Sequence, residues 1–263
     1  MLNTTETKKG EFMYVCMLNP PYMPYFVRSA RWQEVGKGGT LYYPIWLAYA
    51  TGIVEQQHPT VLIDAPAKGW DSKTTASYIA RKSFNLIIIE TSFPSLKNDL
   101  TVADFLKKHT GAKVVIVGPP ASIFDQKILK SSSVDIVARY EYDFTISDVA
   151  NVLNSRGDLK SINGISYKCN SKIIRNPDRQ WIASEELDTL PFVSSVYKRH
   201  LNIKDYFLSS SMYPEVQIFT GRGCPYQCTF CLWPQTFMGR AYRTRSVKNV
   251  VDELDYIAEE LPE

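Results

Sequence analysis

The sequence predicts an α/β protein built on a doubly wound parallel sheet, with a different kind of segment appended to it. Three observations carry this. Five short apolar segments between Phe12 and Val137 alternate with stretches of helical length. Turn formers punctuate the chain after several of them, at Asn19-Pro20-Pro21, Asp64-Ala-Pro66 and Gly118-Pro-Pro120. Beyond Asn154 the alternation stops.

The polar start, Met1 to Glu11, lacks the apolar stretch of a secretory leader and reads as a disordered lead-in. Phe12 to Leu18 reads as a buried strand. A long loop follows, holding Arg28, Arg31, Lys37 and the glycine cluster Gly36 to Gly39, and then a helix from about Ile45 to Gln56. Thr60 to Ile63 is the second strand, with a helix over 72–82. Asn85 to Glu90 is a strand of near-continuous branched residues, as expected when both faces are buried. A helix over 97–109 carries Lys107, Lys108 and His109 in its last turn. Lys113 to Val117 is the fourth strand, with a helix over 122–131, and Val134 to Val137 is a short fifth strand, closed by a helix from Thr145 to Leu153. The sheet domain therefore spans 12–155. In such sheets ligands sit at the carboxyl ends of the strands. Asn19, Asp64, Thr91 and Gly118 each follow a strand and should share one rim.

Past this point, 156–213 reads as a hairpin and linker: Gly164 to Lys168 and Lys172 to Arg175 pair across a turn near Asn170, and Glu186 to Phe192 is irregular. The last segment, 214–263, opens on a strand at Glu215 to Thr220 and closes on a helix from Ser246 to Leu261, with Ser246 as its N-cap.

Bulk properties narrow the function. The 263 residues are 44% hydrophobic, enough for a sizeable core, and the net charge of +3 gives no basic stripe for nucleic acid. The most apolar stretch, Leu41 to Val54, is too short to span a bilayer and is interrupted by Pro44 and Gly52. A cytoplasmic protein with no transmembrane segment is expected. Five cysteines in a chain of this length do not make a disulfide scaffold, and three of them fall within eight residues, which points to metal.

Those three are Cys224, Cys228 and Cys231, spaced Cys-x3-Cys-x2-Cys. Thiolates hold iron–sulfur clusters, and three of them leave one iron of a cubane open for other chemistry. Zinc is the competing reading. It needs four ligands, and the nearest further candidates, Cys169 and His200, lie well upstream.

The run from Gly221 to Cys231, with Phe230 before the last cysteine, resembles the signature loop of radical S-adenosylmethionine enzymes. The resemblance implies that Cys224, Cys228 and Cys231 bind a [4Fe–4S] cluster. It implies that S-adenosylmethionine chelates the open iron and yields a 5′-deoxyadenosyl radical on reduction, and that Phe230 lies against the adenine. A reductant such as flavodoxin or ferredoxin is implied as partner. The amino-terminal half is similar to the cobalamin-binding subgroup, which includes magnesium-protoporphyrin monomethyl ester cyclases and radical proteins of hopanoid biosynthesis. The similar stretches are Lys37 to Gly52, Val117 to Pro120, Arg139-Tyr-Glu-Tyr-Asp143, Asn163 to Tyr167 and Leu187 to Phe192. Cobalamin is then implied on the rim, with Asp64, Gly69, Thr91, Ser92, Gly118 and Pro119 as its contacts. The substrate would be a small or lipid-like molecule and the reaction C–C or C–H bond chemistry or methylation.

The chain departs from the family pattern twice. Corrinoid domains of the methionine synthase type carry Asp-x-His-x-x-Gly after a strand. Here the run is Asp64-Ala-Pro66-Ala-Lys-Gly69, and Pro66 has no donor atom for cobalt. A full (β/α) barrel also takes roughly 200 residues or more, whereas one loop and one helix follow Cys231. The fold expectation is therefore a cobalamin-binding Rossmann-like domain followed by the first βα unit of an incomplete radical S-adenosylmethionine barrel. The chain reads as a fragment, inactive by itself, with no catalytic acid, base or nucleophile assigned. The alternative reading is a non-catalytic corrinoid-type module with a vestigial cluster loop. Among the remaining candidates, Cys16 reads as an inert core thiol, and Arg243 and Arg245 as solvated residues at the start of the last helix or as contacts for an anionic substrate. Trp233 and Tyr242 read as core packing or a shield around the cluster.

Overall fold

The computed structural model describes residues 12–30 and 33–261. The lead-in expected over 1–11, and Arg31, lie outside the described residues. β1 (Val15–Asn19) pairs in parallel with β4 (Thr60–Asp64) on one side and β5 (Leu86–Glu90) on the other. β6 (Lys113–Val117) and β7 (Ile136–Ala138) continue the parallel sheet beyond β5. The chain thus runs outward from β1 to β4 and then returns past β1 to β5. This puts the topological switch point between β1 and β5, the place where open α/β sheets bind ligands.

Both faces of the sheet are buried, which is why its strands read as continuous apolar runs. Met17, Leu62, Ile88 and Val115 pack under α1 (Ile45–Val54), α5 (Asp143–Asn154) and α7 (Val193–His200). On the opposite face Leu18, Ile63, Ile87 and Ile116 pack under α2 (Ser72–Ala80), α3 (Leu96–Thr110) and α4 (Pro119–Ser131). Cys16 is on this second face and its thiol is pushed up by burial, so it is the inert core cysteine the sequence indicated. Helix α1 is apolar on every side and every one of its residues is buried, because it is sandwiched between the sheet and later elements. Asp71 caps α2 by accepting from the Thr74 amide, and Gly111 ends α3 in the left-handed conformation. The long loop after β1 contains a two-stranded ribbon, β2 (Phe26–Val27) with β3 (Glu34–Val35). No helix among the described residues is long and apolar enough to cross a membrane.

Three expectations for the second half need correction. The hairpin β8 (Ile165–Cys169) and β9 (Lys172–Arg175) is not a separate unit: β8 pairs antiparallel with β7 and makes the sheet seven-stranded. Buried Arg139 fixes it there, donating to Ser166 Oγ, the Asn176 carbonyl and Asp178. The presumed linker contains α6 (Ser184–Leu187) and α7, whose Val193, Val196 and Tyr197 are buried at the i, i+3, i+4 spacing of one helical face.

The strand expected at Glu215 to Thr220 is not a strand; the only pairing there is β10 (Gly221–Arg222) with β11 (Arg243–Thr244) among the described residues. Its backbone groups go to side chains instead of a ladder. Tyr43 donates to the Glu215 carbonyl and Tyr197 to that of Gln217, while the Phe219 amide donates to Tyr49 and the Phe219 carbonyl accepts from Arg245. The first βα unit of a barrel is therefore not formed as expected. The closing helix is: α9 (Val247–Glu260) starts at Ser246, whose hydroxyl accepts from the Asn249 amide.

Candidate functional site at the carboxyl rim of the sheet

The cysteine loop runs from β10 to β11, and one two-residue ribbon closes its base: Gly221 faces Thr244 and Arg222 faces Arg243. Gly223 begins the loop at φ +90°, and a Cβ there would lie 1.9 Å from the Ala241 carbonyl oxygen, so only glycine fits. The Cys224 amide donates to Gly239 and the Cys231 amide to Cys228. The short helix α8 (Trp233–Thr236) follows, and the stretch after Cys231 docks on the sheet domain. There Ser122 donates to the Thr236 carbonyl, Phe237 packs on Trp46 and Tyr142, and Trp233 meets Trp46 edge-on. Of the pair read as core or shield, Trp233 is thus core packing, whereas Tyr242 is exposed.

Cys224, Cys228 and Cys231 are all free thiols; Cys228 is exposed and the other two are half-buried. Among the described residues no His, Cys, Asp and Glu side chains are gathered closely enough to hold a metal ion. The loop brings the three sulfurs into one segment with nothing competing for them, but does not draw them into a ligand cluster. Phe230 stands on the same loop, 65% exposed.

Behind the loop lies a second correction. Arg243 and Arg245 are neither solvated nor aimed at a ligand. Arg243 is buried and pairs with Glu141, and Arg245 is buried and pairs with Glu253, which also accepts from the Ser194 amide and hydroxyl.

The rim residues do come together. Asn19 donates to Asp64 Oδ1 at 2.8 Å, Tyr206 donates to Asp64 Oδ2 at 2.9 Å, and the Thr91 amide donates to the Val117 carbonyl. Gly118 stands at φ +104° with its missing Cβ aimed 2.3 Å from the Thr91 carbonyl oxygen, so the β6–α4 turn depends on it. Pro119 opens α4, a position where its missing amide hydrogen costs nothing. Ser92 shares a hydrogen bond with Ser95. Pro66 and Gly69 line a cleft of about 530 Å³ together with Tyr22, Tyr25, Leu41 and Trp70.

Sequence reading missed four rim residues: Arg28, Asp99, Tyr206 and Glu90. Arg28 and Asp99 form an ion pair of 2.7 Å with both side chains fully buried, and Arg28 also donates to Asn19 and the Pro20 carbonyl. Glu90 ends the central strand β5 and is 2% exposed. Its Oε1 accepts from Tyr142 at 3.4 Å and its Oε2 has no partner. Burial pushes the Glu90 carboxyl up to about 7 against the pull of Arg28, and burial likewise raises Asp64 to about 6 despite its hydrogen bonds from Tyr206, the Ala67 amide and Asn19. Two neighbouring carboxyls on one rim are therefore both harder to ionise than ordinary carboxylates, Glu90 the more so.

Glu90 has a measurable consequence. Its folded-state value lies above the ordinary 4.5, so the folded chain keeps a proton that the unfolded chain loses. The stability this contributes is complete below about pH 4.5 and is lost as pH rises through about 7. Glu90→Gln, which cannot ionise, is expected to match the parent at pH 4.5 and exceed it by roughly 3 kcal/mol at pH 8.5. Urea unfolding at the two pH values checks this; an equal difference at both would rule out the titration.

No family model matches the sequence. The chain is 28% identical over 247 residues to the uncharacterized methyltransferase PH0819 of Pyrococcus horikoshii, covering 93% of this chain and 50% of that protein. It is 23% identical over 251 residues to the anaerobic magnesium-protoporphyrin IX monomethyl ester cyclase of Synechocystis sp., covering 93% of this chain and 47% of the cyclase. The chain spans about half the length of these curated relatives. Among solved structures it resembles the radical S-adenosylmethionine methyltransferase TsrM from Kitasatospora setae, with cobalamin and a [4Fe–4S] cluster bound. The TM-score is 0.66 and the identity 16%, over 95% of this chain and 46% of TsrM. This likeness shows a shared α/β fold with a mostly parallel sheet.

Proposed function

We propose that this chain binds a [4Fe–4S] cluster through Cys224, Cys228 and Cys231 and a corrinoid at the carboxyl rim of its sheet, and that it serves radical S-adenosylmethionine chemistry, methyl transfer foremost. The observation that carries the reading is the cysteine loop itself: three free thiols on one segment whose base is closed by a ribbon and whose far side is docked on the sheet domain. The donor set fits such a cluster, since three thiolates, with no fourth ligand gathered beside them among the described residues, would leave one iron for the amine and carboxylate of S-adenosylmethionine. When bound, the cluster would supply the single electron that cleaves S-adenosylmethionine, drawn from a reductant such as flavodoxin or ferredoxin. The relatives named a methyltransferase and a cyclase, and the fold shared with TsrM, support the same reading.

The rim would take a corrinoid in its cleft and not by ligation. Pro66 and Gly69 line the cleft, and Tyr22, Tyr25 and Trp70 add aromatic rings to it. The polar groups of Asn19 and Asp64 are already engaged within the chain, and no histidine stands where cobalt would need one. Pro66 would line the corrinoid site without offering a nitrogen ligand. Phe230, exposed on the cluster loop, would offer a surface for the adenine. The chain's own role is to hold the two cofactors and exclude water from the sheet side, where Phe237 packs on Trp46 and Tyr142 with ring centroids 4.4 and 5.6 Å apart.

Anaerobic reconstitution with iron and sulfide tests this. A reduced cluster with an open iron is expected to show a paramagnetic resonance spectrum that changes when S-adenosylmethionine is added. A spectrum indifferent to S-adenosylmethionine would favour the module with a vestigial loop.

A further inference from the structure

In the run Arg139-Tyr-Glu-Tyr-Asp143, which follows β7, Glu141 and Asp143 are not among the contacts proposed for either cofactor. The structure gives them a different task. Their two carboxylates receive the two arginines that form the base of the cysteine loop. Asp143 accepts both Nη atoms of Arg222 at 2.9 Å, a bidentate fork that fixes orientation as well as distance. Glu141 accepts both Nη atoms of Arg243 at 2.8 and 3.0 Å, takes the Ile182 amide as well, and stands 3.7 Å from Arg222. All four side chains are buried. Arg222 also lies over the rings of Trp46 and Tyr49, at 5.1 and 4.9 Å, so its guanidinium is held between helix α1 and the carboxylates. Asp143 is the first residue of α5, where a negative charge is favoured by the helix dipole.

Arg222 stands two residues before Cys224, and Arg243 faces it across the ribbon. We infer that Glu141 and Asp143 are positioning residues: they clamp both ends of the cysteine loop to the loop after β7, and so fix where the three thiols stand above the carboxyl rim. That this placement serves two cofactors rests on the function proposed above; the clamp itself does not. A ribbon of two residues per strand cannot hold such a loop alone. The docking of Phe237 and Thr236 holds its far side only.

The test has two arms. In the first, amide hydrogen exchange is followed by mass spectrometry on the iron-free chain, in peptides covering 220–224 and 239–245, with the β5 peptide 86–90 as reference. Asp143→Asn and Glu141→Gln are expected to speed exchange in both flanks at least tenfold and to leave β5 unchanged. Arg222→Lys, which keeps the charge and loses the fork, should fall between. Flanks as protected as in the parent would overturn the clamp, and so would equal acceleration in β5, since the pairs would then hold the whole sheet and not the loop. In the second arm the same variants are loaded with iron and sulfide. Iron content should stay at the parent level because the thiols are intact, while the concentration of S-adenosylmethionine needed to perturb the cluster spectrum rises at least tenfold. Unchanged S-adenosylmethionine affinity beside a loosened loop would overturn the positioning role. If the parent chain itself takes up no iron, the proposed function fails, and the exchange arm still decides the clamp.

Discussion

Cys224→Ala, Cys228→Ala and Cys231→Ala are each expected to reduce iron uptake after anaerobic reconstitution to background, while Cys16→Ala and Cys169→Ala load as the parent does. The asymmetry follows from where the five thiols stand. Cys16 is fully buried in the strand core, where burial disfavours the thiolate that metal binding needs. Cys169 ends β8, paired with Lys172 across the hairpin and remote in sequence from the loop. The other three are free on one eight-residue segment with at least partial access to solvent. A cubane held by three protein thiolates has no spare ligand, so losing one exposes a second iron and leaves the cluster open to hydrolysis. Iron and sulfide per chain, measured together, check this. Full loading of Cys228→Ala would remove the assignment, and loss of loading in Cys169→Ala would point to a fourth ligand and revive the zinc reading.

Local patterns were legible in the sequence, and pairings between distant residues were not. The five parallel strands and their covering helices read correctly because each strand is an apolar run of the right length, several with a turn former after them, and the cysteine spacing needed no structure at all. Glu215 to Thr220 failed for a specific reason. Val216, Ile218 and Phe219 look like a strand, but three tyrosines from α1, α7 and the segment before α1 take up backbone groups that a ladder would otherwise use. Nothing local marks those tyrosines as partners. Arg243 and Arg245 failed similarly. Next to a helix start they read as solvated, yet their carboxylates come from Glu141, 102 positions away, and from Glu253 on the second turn of α9. Arg222 finds Asp143 across 79 positions. The hairpin was recognised as a hairpin, but its attachment to β7 depends on Arg139 reaching into Ser166, Asn176 and Asp178, which periodicity cannot show. Helix α7 was hidden by its length, eight residues after Pro191, too short for a clear helical period.

Asp99→Ala is expected to destabilise the chain by about 3–5 kcal/mol, the usual cost of stranding one partner of a buried ion pair. The carboxylate is the hub of the rim. It accepts from Arg28 at 2.7 and 3.4 Å, from Thr91 at 2.8 Å, from Asn98 at 3.1 Å and from Ser95. Removing it leaves a guanidinium with no exposed side-chain surface to reach water, and two hydroxyls without their acceptor. A loss of this size is a large share of the 5–15 kcal/mol that holds a typical domain together. The effect should be local in origin, since Arg28 bridges the loop after β1 to α3 across the switch point, and that loop carries Tyr22 and Tyr25 of the cleft. The double variant Arg28→Met with Asp99→Leu separates two explanations. If the penalty is the orphaned charge, replacing both partners with apolar side chains of similar size recovers most of the stability, because the desolvation of both ions is removed as well. If the pair instead supplies strong net attraction, the double variant is as unstable as Asp99→Ala. Urea unfolding of the parent, the single and the double variant reads this directly, and an Asp99→Ala chain within about 1 kcal/mol of the parent would show that the rim tolerates the unpaired arginine by opening to water.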